Sequence, residues 1–346
     1  MMKQFEINAV GPFLMTRAFQ PNLKLALAKS GPATVGQVTS RMGSITDNGS
    51  GGMYGYRASK TALNMVNSSL AHDLKDEKFI ALALHPGYVV TRMTSHTGQT
   101  TPEDSVGGMT KIIAEATPED SGKFFHFSDV GLLGAMLTIA FVLLYMQLKA
   151  LAPFKTIAMD TSDEASILEA ARQLEGQPID LLINNAGIGI PCELETGTKD
   201  ALMNQFEVNA VGPFLVTRAL LPNLQLAAKA NGGASVVQLS SFFGSIGSYT
   251  NDTADFFKQA GYGYSSSKAA LNMITRSLAF DLRSSGIVVV SVHPGYVDTD
   301  MTKGKATLKP TDSVTAMTGL IAKLNPESTG KFFNLDPQIP VAELPW

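Results

Sequence analysis

The chain contains itself twice, and this repeat limits what its 346 residues can fold into more than any other feature. Phe5-Glu6-Ile7-Asn8-Ala9-Val10-Gly11-Pro12-Phe13-Leu14 returns as Phe206-Glu207-Val208-Asn209-Ala210-Val211-Gly212-Pro213-Phe214-Leu215, an offset of 201 (209 − 8). Tyr56 to Lys60 returns as Tyr264 to Lys268, and His85-Pro86-Gly87-Tyr88-Val89 as His293-Pro294-Gly295-Tyr296-Val297. That second offset is 208 (264 − 56), so the second copy carries seven extra residues between Ser241 and Tyr264. Gly122-Lys123-Phe124-Phe125 likewise matches Gly330-Lys331-Phe332-Phe333. Solenoid repeats have periods of roughly 20–50 residues. The period here is that of a duplicated domain.

Hydrophobic residues make up 45% of the chain and charged ones 16%, enough to bury a core. The 27 Lys and Arg against 30 Asp and Glu give a net charge of −3 with no basic block, which argues against nucleic acid as a partner. A single cysteine, Cys192, excludes an internal disulfide and a cysteine-built zinc site, and no metal centre is expected. The first residues, Met1 to Glu6, show no signal-peptide core, and the expectation is a soluble, cytoplasmic chain.

The copies differ in extent. The first opens inside a long helix predicted over 2–29. The second adds a run over 155–190 before the matching helix, which is predicted near 198–229. Lys155 to Asp160 reads as a short apolar strand, Thr161 or Ser162 as the cap of a helix to Leu174, and Ile179 to Ile183 as a buried strand ending at Asn184-Asn185-Ala186-Gly187. A strand from Ala234 to Leu239, a helix near 263–284, a strand from Ile287 to Val292 and a helix and strand near 312–335 follow. Strands alternating with helices of this length imply a parallel α/β sheet, and continuous apolar strands imply cover on both faces.

The sharpest chemical signal is Tyr264-x-x-x-Lys268 after the strand end Ser240-Ser241. Spacing i, i+4 places phenol and ammonium on one helix face. A tyrosine of ordinary pKa, about 10, is a poor base at neutral pH. A neighbouring cation favours the phenolate and brings its proton affinity into a useful range. A serine hydroxyl at an adjacent strand end can orient a substrate oxygen.

The order of these signatures resembles the short-chain dehydrogenase/reductase family, over 155–335 and again over 2–127. The resemblance rests on Asn184-Asn185-Ala186-Gly187 after a strand, Asn209 in the next helix, Ser241 before Phe242-Phe243-Gly244, Tyr264 with Lys268, and Pro294-Gly295-Tyr296-Val297-Asp298-Thr299. It implies a Rossmann-like parallel sheet and reduction of a carbonyl, or oxidation of an alcohol, with NAD or NADP. By that resemblance Tyr264 is the general acid/base, and Lys268 lowers its pKa and holds the nicotinamide ribose. Ser241 positions the carbonyl, and Asn209 holds a water linking Lys268 to solvent. Asn185, Ala186 and Gly187 line the cofactor, Asp160 approaches its adenine, and Pro294, Gly295, Val297 and Thr299 close over the nicotinamide. Asn8, Ser40, Tyr56, Lys60 and Pro86-Gly87 hold the matching places in the first copy. His85 and His293 read as structural.

The family's Thr-Gly-x-x-x-Gly-x-Gly phosphate loop is absent from both copies, so NAD and NADP are not distinguished. The expected organisation is a partial copy over 1–128, a hydrophobic connector over 129–154 and a more complete copy over 155–346, both lacking the first strands. Within the connector, Val130 to Leu148 is a charge-free run of 19 residues. As a helix it would measure about 28 Å, close to the thickness of a bilayer core, so it is a transmembrane candidate. Its alternatives are a buried element covering a bare sheet edge, or a junction from an imperfect gene model. In the resembling family, protomers pair through the helices carrying the Asn209 and Tyr264 positions. Both copies keep them, which implies an intrachain pseudo-dimer or a homo-oligomer. The alternative to an enzyme is a catalytically silent homologue acting as a binding or scaffold protein, with or without a membrane tether.

Overall fold

A computed structural model describes residues 1–30, 33–128, 131–132 and 155–346. Two four-stranded sheets organise the chain. In the first, β1 (Ala33–Val38), β2 (Phe79–His85) and β3 (Phe124–His126) run parallel, and the short β4 (Gly131–Leu132) adds antiparallel to β3. In the second, β5 (Leu181–Asn184), β6 (Ala234–Leu239), β7 (Ile287–His293) and β8 (Phe332–Asn334) are all parallel. The helices between strands are α1 (Met2–Phe5), α2 (Gly11–Ser30), α3 (Tyr54–Asp73) and α4 (Pro102–Glu115) in the first half. The second half has α5 (Glu164–Arg172), α6 (Lys199–Phe206), α7 (Gly212–Ala219), α8 (Leu221–Asn231), α9 (Ala254–Lys258), α10 (Gly261–Asp281) and α11 (Pro310–Ile321).

Local chemistry explains the breaks. Pro213 has no N–H and its ring would clash with the carbonyl four residues back, so the helix widens into a π-turn over Glu207–Val211, where Gly212 N–H bonds the Glu207 carbonyl. Pro12 imposes the same π-turn over Glu6–Val10. The long helix predicted near 198–229 is further divided at Leu220, before Pro222. Two expectations at the start of the second half are corrected. Residues 155–160 pair with no strand, the Asp160 N–H being taken by Ser166 Oγ, and Asp163 rather than Thr161 or Ser162 caps α5 by accepting the Ala165 N–H. The strand before Asn184 is not buried: Leu181 and Ile183 are 38% and 39% exposed, since β5 is the outer strand of its sheet. The apolar run over 130–148 lies outside the described residues apart from Gly131 and Leu132. Among the described residues no helix is long and apolar enough to cross a membrane.

The two halves share one core, with α3 packed along α10. Their contacts repeat when the halves are exchanged. Phe5 stacks on its counterpart Phe206 at 4.5 Å. Phe13 meets Tyr262 at 4.8 Å, and Phe214 meets Tyr54 at 4.8 Å. Tyr262 donates to Asp73 at 2.5 Å, and Tyr54 donates to Asp281. Such reciprocity marks a self-complementary, two-fold surface. Each large apolar side chain buried there contributes about 1.5–3 kcal/mol.

Candidate active site

Helix α10 presents Tyr264 and Lys268 to the C-terminal ends of β6 and β7. Both side chains are buried, at 2% and 1% exposure. Lys268 Nζ donates to the Leu239 carbonyl at 2.7 Å and lies 5.9 Å from the Tyr264 ring centre. Burial with no carboxylate at hand pulls the ammonium down to about 7. Ser241 stands between two points fixed to this lysine. The Leu239 carbonyl accepts its hydrogen bond, and Gly244 lies so close that a Cβ there would come within 2.6 Å of the Lys268 carbonyl carbon. The Ser241 hydroxyl is fully buried and has no hydrogen-bond partner among the described residues.

Asn209 occupies the π-turn, which rotates its amide inward. Its oxygen accepts the Ile188 N–H at 2.8 Å, and its nitrogen donates to the Ile188 carbonyl and to Ser267 Oγ, both at 2.9 Å. The residue thus ties the segment after Asn184-Asn185-Ala186-Gly187 to α10. The roles of the two adjacent asparagines separate. Asn184 is buried and bonds Pro213 and Thr217, whereas Asn185 is exposed beyond the strand end. Ala186 is half-buried and Gly187 buried. Two residues on, a Cβ at Gly189 would come within 3.6 Å of Met301 and Tyr264.

The Pro294–Thr299 segment closes the other side. Gly295 takes φ +92°, with Leu308 and Asp336 against it, so a side chain there would be both strained and obstructed. Tyr296 N–H bonds Asp336, and Val297, buried, bridges to Leu308. The Thr299 hydroxyl is buried without a hydrogen-bond partner among the described residues. Ser241 and Thr299 therefore offer two unspent hydroxyls, as expected where a polar ligand completes a site. Asp160 is not brought to this group. It is exposed, its carboxylate takes the Ser162 N–H and hydroxyl, and Thr161 beside it packs on Gly212. His293 is buried 3.8 Å from Asp336, and burial holds its pKa down.

In the first half Lys60 Nζ donates to the Val38 carbonyl at 2.9 Å and lies 6.0 Å from the Tyr56 ring centre. Ser40, however, accepts the Met42 N–H and serves as a helix cap. Three residues of the second half's site escaped the sequence reading: Ser267, Gln205, which accepts the Ile190 N–H at 3.0 Å, and Asp336. The repeat itself signals the first two, since Ser59 and Gln4 stand at their places in the first copy.

The family model described as short chain dehydrogenase matches residues 1–102 and 141–309. The C-signal protein of Myxococcus xanthus is 42% identical over 170 residues, which is 49% of this chain and 93% of that protein. The 1-hydroxy-2-glutathionyl-2-methyl-3-butene dehydrogenase of Rhodococcus sp. (strain AD45) is 45% identical over 128 residues, 36% of this chain and 54% of its own length. Among solved structures, carbonyl reductase Sniffer of D. melanogaster aligns with a TM-score of 0.52 at 29% identity, covering 69% of this chain and 94% of that one. NADPH-bound carbonyl reductase from chicken fatty liver aligns with a TM-score of 0.50 at 27% identity, covering 70% and 94%. The α/β fold with parallel sheets, the tyrosine–lysine helix and these matches agree, and the chain belongs to the short-chain dehydrogenase family.

Proposed function

We propose that the chain is an NAD(P)-dependent oxidoreductase, reducing a carbonyl or oxidising the corresponding alcohol, and that its second half carries the chemistry. The observation behind this reading is the unspent Ser241 hydroxyl, on the segment that Lys268 pins and next in the chain to Phe242, which shares a buried cluster with Tyr264. The residues present fit the nicotinamide end of the cofactor. Lys268 and Tyr264 would hold its ribose, Asn185, Ala186 and Gly187 would flank it, and Pro294, Gly295, Val297 and Thr299 would cover the ring, with the free Thr299 hydroxyl on the carboxamide side. The bound nucleotide supplies the hydride.

Ser241 fixes the substrate oxygen by donating a hydrogen bond, which leaves that oxygen facing the Tyr264 hydroxyl. Tyr264 then delivers its proton to the oxygen in reduction, or accepts it in oxidation. Lys268 stabilises the phenolate. Its pKa near 7 in the structure lets it return a proton to Tyr264 at neutral pH. Asn209 holds α10 and the Ile188 segment in register, and its amide is the family's position for the relay to solvent. The buried phenylalanines Phe242, Phe243 and Phe257 exclude water from the reacting oxygen.

The two copies are read as incomplete repeats of one fold, clasped as a pseudo-dimer through α3 and α10. The reciprocal pairs Tyr54–Asp281 and Tyr262–Asp73 support this arrangement. A cytoplasmic location accords with nucleotide chemistry. Steady-state assays of the purified chain against a carbonyl panel with NADH and NADPH test the reading. Turnover that Tyr264→Phe abolishes supports it, and turnover that survives the substitution refutes the assigned mechanism.

A further inference from the structure

We propose that helix α3 of the first half seats the loop that closes over Tyr264, so that the first half decides which substrates reach the second half's site. The inference deepens the oxidoreductase reading and rests on it for the word substrate. The closing loop contains the seven residues that the first copy lacks, and it reaches the site through a stack of rings. Tyr249 stacks on Phe257 at 3.8 Å with 22° between the planes. Phe257 packs on Phe243 at 5.6 Å and on Phe242 at 6.2 Å, and Phe242 directly follows Ser241. Phe257 and Tyr264 share one buried cluster. With Tyr264 and Ser241 buried, these rings form part of the cover that a carbonyl must pass.

The outer end of the stack is held by the first half. His72 lies flat on Tyr249 at 4.5 Å, with 9° between the planes. Ser69 and Tyr249 line the same cleft. Asp73 accepts the Tyr262 hydroxyl at 2.5 Å, and Lys75 donates to Asn251 at 3.2 Å. Ser69, His72 and Asp73 are spaced i, i+3, i+4 and so form one strip of α3. The strip grips the loop near both ends. A cleft of about 270 Å³ lined by Ser69, Asp73, Tyr249, Phe257 and Tyr262 runs along this seam and gives the loop space to swing.

The reverse arrangement is not found among the described residues. On α10 the place of His72 is taken by Phe280, which packs against the guanidinium groups of Arg276 and Arg283. The one ring in the shorter, glycine-rich 49–55 segment of the first copy, Tyr54, packs on Phe214 instead. Ser277 and Asp281 hold only Asn48 and Tyr54. The seating therefore runs one way, from the first half to the second.

Amide hydrogen exchange on the full chain, without nucleotide, reads the seating directly. His72→Ala is expected to speed exchange across 249–262 at least tenfold and leave the buried amides of α10 unchanged, while His72→Phe restores protection because a ring again covers Tyr249. Asp73→Asn serves as a second probe, with a smaller acceleration confined to the Tyr262 end. Trp346, the chain's one tryptophan, lines a cleft with His72 and Tyr249, and its emission should shift to the red in His72→Ala. In turnover, His72→Ala should raise KM for bulky carbonyls several-fold and narrow the difference between bulky and small ones, with kcat and nucleotide affinity held. Unchanged exchange over 249–262, or acceleration spread evenly through α10, would overturn the inference. A wild-type chain that binds no nucleotide overturns the oxidoreductase reading instead, and the exchange data still decide whether α3 seats the loop.

Discussion

Asn8, Ser40, Tyr56 and Lys60 in the first half are the same residue types, in the same order, as Asn209, Ser241, Tyr264 and Lys268 in the second. The scaffolds around them are not the same. Asn209 clasps the backbone of Ile188 with two hydrogen bonds and reaches Ser267 with a third. Among the described residues Asn8 keeps only the bond to Ser59, because the first copy has no segment in the place of Ile188. Ser241 keeps its hydroxyl unspent and Ser40 uses it as a cap. Tyr264 is sealed under rings, whereas Tyr56 is half-buried. The outer faces differ likewise. Val216 is 2% exposed under Ile167 of α5, while Met15 at the matching place is 57% exposed with no such helix above it. A set of catalytic residue types is not a site until neighbouring segments free the right hydroxyl and exclude water.

The sharpest way to break this comparison is to remove one hydroxyl from each half. Tyr264→Phe should lower kcat about 10²–10⁴-fold with the fold intact by circular dichroism, whereas Tyr56→Phe should leave kcat within about twofold. Comparable losses in both would mean two working sites.

The buried lysines come next. Burial lowers the Lys268 pKa in the folded chain to about 7, against about 10.4 when unfolded. Between those values the unfolded chain holds the extra proton, so stability gained from deprotonation rises with pH through that window. The cost of burying the ammonium is fully present below pH 7. Lys268→Met should therefore stabilise the chain in urea at pH 6, on the order of a few kcal/mol, and lose that advantage towards pH 10. Lys60→Met should show the same sign with a smaller effect, since burial lowers the Lys60 pKa too. An advantage that grows with pH would contradict this.

Asn209→Ala strands buried donors and acceptors and should cost about 2–4 kcal/mol in denaturant midpoint analysis, against under about 1 kcal/mol for Asn8→Ala. The smallest contrast lies at the serines. Ser40→Ala should cost about 1 kcal/mol of stability through its cap, with turnover unchanged. Ser241→Ala should leave stability nearly unchanged and lower kcat.

Much of this asymmetry was hidden from the sequence. The repeat, the tyrosine–lysine helix and the strand ends at Ser241 and Asn184 were legible because spacing and order carry them. β6, β7, β8 and α10 fall within a few residues of their predicted places. The π-turns were not legible as geometry, although the proline four residues after Asn209 and Asn8 is their physical cause. Lys155 to Asp160 has the composition of a strand but pairs with none, and composition alone does not say which strand a segment will join. Burial of β5 was misjudged for a related reason: apolar strands are covered on both faces only inside a sheet, and this one is at its rim. The free state of the Ser241 hydroxyl and the grip of α3 on Tyr249 are tertiary facts without a local signature.

The central claim, one working site per chain in the second half, is tested most directly by calorimetric titration of the purified full chain with NADPH and NADH. The account predicts saturable binding of one nucleotide per chain, lost in a Lys268→Met variant and retained in Lys60→Met. Two nucleotides per chain, or none at millimolar concentration, would contradict it.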